Sequence, residues 1–139
     1  MTRPSVRVAD YMTKNHKPIA CGTDLGVVVE RLTKEHITGL PVVDDQHQVV
    51  GWVSEQDCIR AVVNESYYCD QKARVNEVMR TEVLSVSPED DIVDIASLML
   101  EQKPKVYPVV RDGELQGLIT RADILRALNE NGKGCWHLS

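Results

Sequence analysis

Residues 51–57 read Gly-Trp-Val-Ser-Glu-Gln-Asp, and residues 117–123 read Gly-Leu-Ile-Thr-Arg-Ala-Asp. Each sets a hydroxyl three residues ahead of a carboxylate, the spacing of a helix capping box with aspartate replacing the usual Glu or Gln. A Ser or Thr cap contributes about 1 kcal/mol, so helix initiation alone accounts for either copy. The same groups have a second chemistry. A helix start presents backbone N–H groups and a positive partial charge to an anion such as phosphate. A carboxylate one turn in accepts hydrogen bonds from vicinal ribose hydroxyls. Glycine at the head lets a ligand, or another backbone, come close. Ser54 with Asp57, and Thr120 with Asp123, therefore suit a ribose-phosphate compound, and the repetition favours recognition over chance capping.

The elements around these motifs repeat as well. A shift of 67 positions lays Val8 on Val75, Met12 on Met79, Asp24 on Asp91 and Pro41-Val42-Val43 on Pro108-Val109-Val110. One residue fewer in the next turn then brings Gly51 onto Gly117, Asp57 onto Asp123 and Arg60-Ala61 onto Arg126-Ala127. The chain divides into a first unit over 8–63, a linker over 64–74, a second unit over 75–130 and a tail over 131–139.

Each unit reads as strand, helix, strand, strand, helix. Leu25, Val28, Val29 and Leu32 share one helix face, as do Ile92, Ile95, Ala96 and Met99. Ser87-Pro88-Glu89-Asp90 predicts the start of the latter helix, with a hydroxyl cap, proline at the first position and early acids. Leu40-Pro41-Val42-Val43 and Tyr107-Pro108-Val109-Val110 each precede a polar turn and a second apolar run, a hairpin pattern with proline at the strand head. A unit of this size buries its own sheet poorly. The fold class is therefore α/β (α+β), two β-α-β-β-α repeats packed sheet to sheet with pseudo-twofold symmetry.

Composition narrows the chemistry. The net charge of −5 and pI near 5.3 argue against nucleic-acid coating, which needs a basic surface. The apolar runs fall far short of the ~20 residues that span a bilayer. The first residues show no secretory pattern, so a cytoplasmic location is the expectation. Cys21, Cys58, Cys69 and Cys135 form no Cys-x-x-Cys, and Cys135-Trp136-His137 is a metal cluster with no second half, so no metal site is expected. The histidines, His16, His36, His47 and His137, have no partner at catalytic spacing, and Cys58 falls on an apolar helix face. The chain reads as a non-enzyme.

The tandem Pro-Val-Val and Gly-x-x-(Ser/Thr)-x-x-Asp pattern resembles a pair of cystathionine-β-synthase (CBS) domains over 8–130. The resemblance implies a regulatory module that binds adenosine-containing ligands in clefts between the repeats: AMP, ADP or ATP, with S-adenosylmethionine and NAD(H) as further members of the class. Carried onto this chain, Asp57 and Asp123 would hold ribose hydroxyls, and Ser54 and Thr120 would meet ribose or phosphate. Thr38-Gly39-Leu40-Pro41 and Lys105-Val106-Tyr107-Pro108 would line the clefts. Lys17-Pro18-Ile19, or Leu84-Ser85-Val86, would offer backbone from the opposite repeat to the adenine edge. The resemblance also implies a homodimer formed through helices, and Leu98-Met99-Leu100 would fit either an interface or a wider core face.

The two sites differ in charge. Arg121 follows Thr120 and Lys105 precedes the second Pro-Val-Val, where the first repeat has Glu55 and Thr38. Two cations favour phosphate and a carboxylate opposes it, so tighter nucleotide binding is expected at Asp123, and a less charged ligand, or none, in the Asp57 cleft. The alternative function is a ligand-free dimerisation module. With no attached catalytic or transport segment in the sequence, a sensor of this kind would act on a protein partner in trans.

Overall fold

The computed structural model describes residues 6–64, 73–101 and 104–132. Among these, the mixed fold runs β1 (Ile19–Ala20), α1 (Leu25–Glu35), β2 (Gly39–Val43), β3 (Val49–Ser54), α2 (Glu55–Asn64), α3 (Ile92–Glu101), β4 (Val106–Arg111), β5 (Glu114–Thr120) and α4 (Arg121–Glu130). Short 3-10 turns at Val8–Asp10 and Val75–Glu77 open the repeats. One sheet has the order β1-β2-β3 and the other pairs β4 with β5.

The described residues gather into two compact units, one from within 1–16, 84–112 and 116–139, the other from within 17–83 and 113–115. We call them the Asp123 unit and the Asp57 unit. Their membership shows that the repeats exchange their leading segments. In the Asp123 unit, Val8 donates to the Asp90 carbonyl at 2.9 Å and Ile92 donates to that of Val6 at 2.8 Å. In the Asp57 unit, Leu25 donates to Ala73 and Val75 to Thr23, both at 2.8 Å. Val8 and Val75 are both fully buried by this exchange.

The exchange also explains where α3 begins. The sequence pattern places the start at Ser87, but the helix starts at Ile92. Residues 88–91 are held out of the helix because the Pro88 and Asp90 carbonyls accept from Ala9 and Val8 and the Ile92 N–H donates to Val6. Ser87 and Asp90 close a turn instead, with the Ser87 N–H on Asp90 Oδ2 at 2.8 Å.

Proline sits third in β2 and β4, not at the strand head. Pro41 faces Trp52 across the hairpin, but the Trp52 N–H and C=O bond to Arg80 instead. On the other edge β1 pairs in parallel only with Val42 and Val43, stopping short of the residue without an N–H. The matching strand of the second repeat shrinks to one parallel bridge, Val86 with Val109. There Val86 donates to the Pro108 carbonyl at 3.0 Å and accepts from Val110 at 2.8 Å. Pro88, two residues on, has no N–H to extend the ladder.

The helices bury narrower faces than their apolar patterns suggest. In α1 Leu25, Val28 and Leu32 are buried, while Val29 is exposed. In the Asp123 unit the core joins Val8, Val86, Ile92, Ile95, Tyr107, Val109, Ile119, Ile124 and Ala127, with Leu98 and Met99 packed against it. Leu100 projects to solvent at 89% exposure, so the Leu98-Met99-Leu100 run splits between core and surface.

Candidate functional site

Both motifs form true capping boxes. In the Asp123 unit the Thr120 N–H donates to Asp123 Oδ2 at 3.0 Å and the Asp123 N–H to Thr120 Oγ1 at 3.1 Å. In the Asp57 unit the Ser54 N–H donates to Asp57 Oδ2 at 2.9 Å and the Asp57 N–H to Ser54 Oγ at 3.2 Å. The first amide of each helix is taken too, Arg121 donating to the Lys105 carbonyl at 3.1 Å and Glu55 to that of Thr38 at 2.9 Å. Two of the first three amides at each helix start are therefore committed to the protein. Phosphate would have to rely on side-chain cations more than on the bare helix terminus.

The second carboxylate oxygens separate the sites. Asp57 Oδ1 receives Arg60 Nη1 at 3.2 Å and Arg80 Nε at 3.2 Å, and the Ser54 hydroxyl is a second donor to Oδ2 at 2.9 Å. The Asp57 side chain is 1% exposed, whereas both arginines are more than half exposed. Asp123 is 15% exposed, and its Oδ1 faces Arg126 Nη2 at the looser distance of 3.7 Å. Arg126 is drawn elsewhere, lying 4.8 Å over the Tyr11 ring and 3.9 Å from Glu130 Oε2. Among the described residues Asp123 Oδ1 has only this loose contact, whereas the carboxylate of Asp57 is clamped.

Each motif glycine admits backbone. A methyl built on Gly117 would lie 2.9 Å from the Thr13 carbonyl, and one on Gly51 would lie 2.9 Å from that of Arg80 and 2.5 Å from Met79 Sδ. The leading segment thus runs directly over the strand. Gly51→Ala and Gly117→Ala should each destabilise by roughly 1–3 kcal/mol, the usual range for overpacking. Gly51→Ala should be the worse, as thermal unfolding of the two variants would show; unchanged melting in both would contradict the packing.

Several residues expected at the site have no exposed side chain. Leu40 and Tyr107 are fully buried and Ile19 and Val86 nearly so, and Gly39, Pro41 and Pro108 are buried as well. The strand expected to offer backbone to an adenine edge of the opposite repeat pairs with its own hairpin. Ile19 pairs with Val42 and Val86 with Val109, each within its own repeat's unit, because the hairpin edge is its nearest partner. The other repeat contributes the Met12-Thr13 or Met79-Arg80 segment. Val86 has no N–H left for an adenine edge, and the Lys17 and Pro18 carbonyls already accept from Arg31 at 2.7 and 3.2 Å. Lys105, Arg121, Lys17 and Thr38 are exposed, and the Arg121–Lys105 backbone bond brings two cationic residues to the start of α4.

Arg80 and Arg60 were not among the expected site residues. Arg80 lies in the other repeat's leading segment, yet a signal existed: the repeat shift sets it against Thr13, a charge difference beside a shared methionine. Burial also raises the pKa of the Tyr107 phenol, and its hydroxyl has no partner among the described residues. Tyr107→Phe should leave stability unchanged or raise it by about 1 kcal/mol, because an unpaired buried hydroxyl costs desolvation without return. A clear loss on urea unfolding would show that the hydroxyl is satisfied.

Among the described residues no group of three His, Cys, Asp or Glu could hold a metal, and no helix is long and apolar enough to cross a membrane. Cys69, Cys135 and His137 lie outside the described residues. Cys58 is buried, and its thiol pKa is pushed up first by that burial and then by Asp57 and Glu55.

Doubled units of this build, each with a Gly-x-x-(Ser/Thr)-x-x-Asp helix start, define a CBS-domain pair. The CBS domain family matches residues 8–64 and 75–130, and the chain belongs to that family. Among curated relatives, the chloroplastic CBS domain-containing protein CBSX2 of Arabidopsis thaliana is 29% identical over 86% of this chain and 62% of its own length. MJ1225 of Methanocaldococcus jannaschii is 25% identical over 89% of this chain, which spans 43% of that protein. A crystal structure of CBSX2 in complex with AMP has a TM-score of 0.78 and 34% identity, covering 89% of this chain and 96% of that one. The CBS domain pair of MJ0100, in complex with methylthioadenosine and S-adenosylmethionine, has a TM-score of 0.72 and 25% identity, covering 94% and 100%.

Proposed function

We propose that the chain is a non-catalytic regulatory module that binds an adenosine-containing ligand at the start of α4, with Asp123 as its ribose acceptor. One observation carries this reading: Asp123 Oδ2 is spent on the cap while Oδ1, among the described residues, has only a loose contact at 3.7 Å. Lys105 and Arg121 supply the positive charge that a phosphate would need. That CBSX2 binds AMP, and the MJ0100 pair binds S-adenosylmethionine, supports the ligand class. AMP, ADP and ATP fit the two cations better than an uncharged adenosyl compound does. Isothermal titration with AMP, ADP, ATP, S-adenosylmethionine and NAD(H) tests the proposal. Saturable binding of at least one phosphorylated member is expected, and no heat from any of them would refute it.

We also propose a homodimer formed through exposed helix faces. Ile59, Val62 and Val63 on α2 and Leu125 on α4 are each more than half exposed, an unusual density of apolar side chains facing water. Leu125 borders an open depression of about 450 Å³ with Ala122, Arg126 and Asn129. Sedimentation of wild type against Ile59→Lys tests it: a dimer that becomes monomeric is expected, and a wild-type monomer at all concentrations would refute it. Ligand occupancy would then be read by a separate protein partner in trans, in a cytoplasmic setting. The ligand-free dimerisation reading draws on the same apolar faces and is what a protein silent to all five ligands would be.

A further inference from the structure

We propose that Arg80 is a specificity-determining residue that makes the Asp57 site selective for phosphorylated adenosine ligands over uncharged adenosine. The inference rests on reading the two Asp motifs as ribose sites and concerns the one that looked weaker.

Four donors already hold the Asp57 carboxylate. Oδ2 takes the Ser54 N–H and hydroxyl, and Oδ1 takes Arg60 Nη1 and Arg80 Nε, both at 3.2 Å. Oδ1 therefore has no room for a ribose hydroxyl unless at least one guanidinium leaves. For an uncharged nucleoside that exchange replaces a charge-assisted bond by a weaker neutral donor, a net loss. A phosphate monoester changes the balance, because it gives the displaced guanidinium an anion of its own. Both arginines have their outer donors in water, at 55% and 56% exposure, so they can turn from the carboxylate to a ligand without being unburied. Arginine's planar fork suits phosphate in two-point contact.

The other unit supplies the internal control. Arg126 stands where Arg60 does, but the place of Arg80 is held by Thr13. The backbones are equivalent: Arg80 exchanges two hydrogen bonds with Trp52, at 2.8 and 2.9 Å, and Thr13 exchanges two with Leu118 at the same distances. Arg80 thus joins the closer Arg60 and the Ser54 hydroxyl in separating a clamped carboxylate from an open one, and it is the one residue of the three whose type changes charge between the units. The inference reverses the expectation drawn from Glu55 that the Asp57 cleft takes a less charged ligand, since both groups on Asp57 Oδ1 are cations.

The test uses the full chain with Asp123→Ala, which leaves Asp57 as the remaining ribose acceptor, and titrates AMP and adenosine by calorimetry. AMP is expected to bind at least about thirtyfold more tightly than adenosine, the scale of one charge-assisted hydrogen bond. Adding Arg80→Thr, the residue the fold already accepts at the matching place, should strengthen adenosine binding and bring the ratio below about fivefold. Arg80→Lys, which keeps the charge, should hold the ratio between the two. Adenosine binding within fivefold of AMP before Arg80 is changed would overturn the proposal, as would a ratio indifferent to Arg80→Thr. Loss of all AMP binding in Asp123→Ala, with wild type still binding, would also overturn it while leaving the Asp123 reading intact. Silence of the wild type toward AMP would overturn it too, and only silence toward ADP, ATP, S-adenosylmethionine and NAD(H) as well would remove the Asp123 reading.

Discussion

Asp123→Ala is expected to weaken binding of the adenosine ligand by about 10- to 100-fold, the cost of hydrogen bonds between ribose hydroxyls and a charged acceptor. Its effect on folding should be much smaller. Asp123 is partly exposed and gives the protein one cap bond through Oδ2 and one loose ion pair with Arg126 through Oδ1. Loss of such a cap costs about 1 kcal/mol. The combination of a large binding effect with a small stability effect marks a group placed for a ligand. Isothermal titration and urea unfolding of the same variant measure the two sides. Undiminished affinity, or a loss matched by Asp57→Ala, would contradict the assignment.

Asp57→Ala should show the opposite balance, destabilising the ligand-free protein by about 3 kcal/mol. The buried carboxylate takes two charge-assisted hydrogen bonds from Ser54, each contributing about 1.5–3 kcal/mol. The lower end applies here because Arg60 and Arg80 are more than half exposed and can rehydrate. The Ser54 N–H and hydroxyl, which both lose their acceptor, have less freedom to do so. For a chain of this size the loss corresponds to roughly a 10 °C fall in melting temperature. Asp57→Asn keeps the shape but sets an amide against two guanidinium groups, and should fall between. Equal melting of Asp57→Ala and Asp123→Ala would show that the clamp contributes nothing.

The contrast separates what the sequence could tell from what it could not. Capping and ligand binding draw on the same hydroxyl and acid, so reading either motif alone left both meanings open. The repeat, the hairpins and the helix registers were legible because they rest on spacing within a few residues. The position of α3 was not, since the perfect cap at Ser87 is overruled by residues 6–9 arriving from the far end of the chain. Gly51 and Gly117 were read as points of close approach, but only the fold shows that the approaching group is the Arg80 or Thr13 backbone. Arg80 was hidden for the same reason: it is 23 residues from Asp57 and belongs to the other repeat. Local chemistry is written locally, whereas the exchange of leading segments is a tertiary fact.

The most direct test of the central claim is the melting temperature of the wild-type protein across a concentration series of AMP. Mass action predicts that a ligand bound only by the folded state stabilises by about 2.7 kcal/mol at a hundred times its dissociation constant. The account predicts a melting temperature that climbs steadily with the logarithm of AMP concentration, and a climb much reduced in Asp123→Ala. A flat curve for the wild type, repeated with ADP, ATP, S-adenosylmethionine and NAD(H), would contradict it.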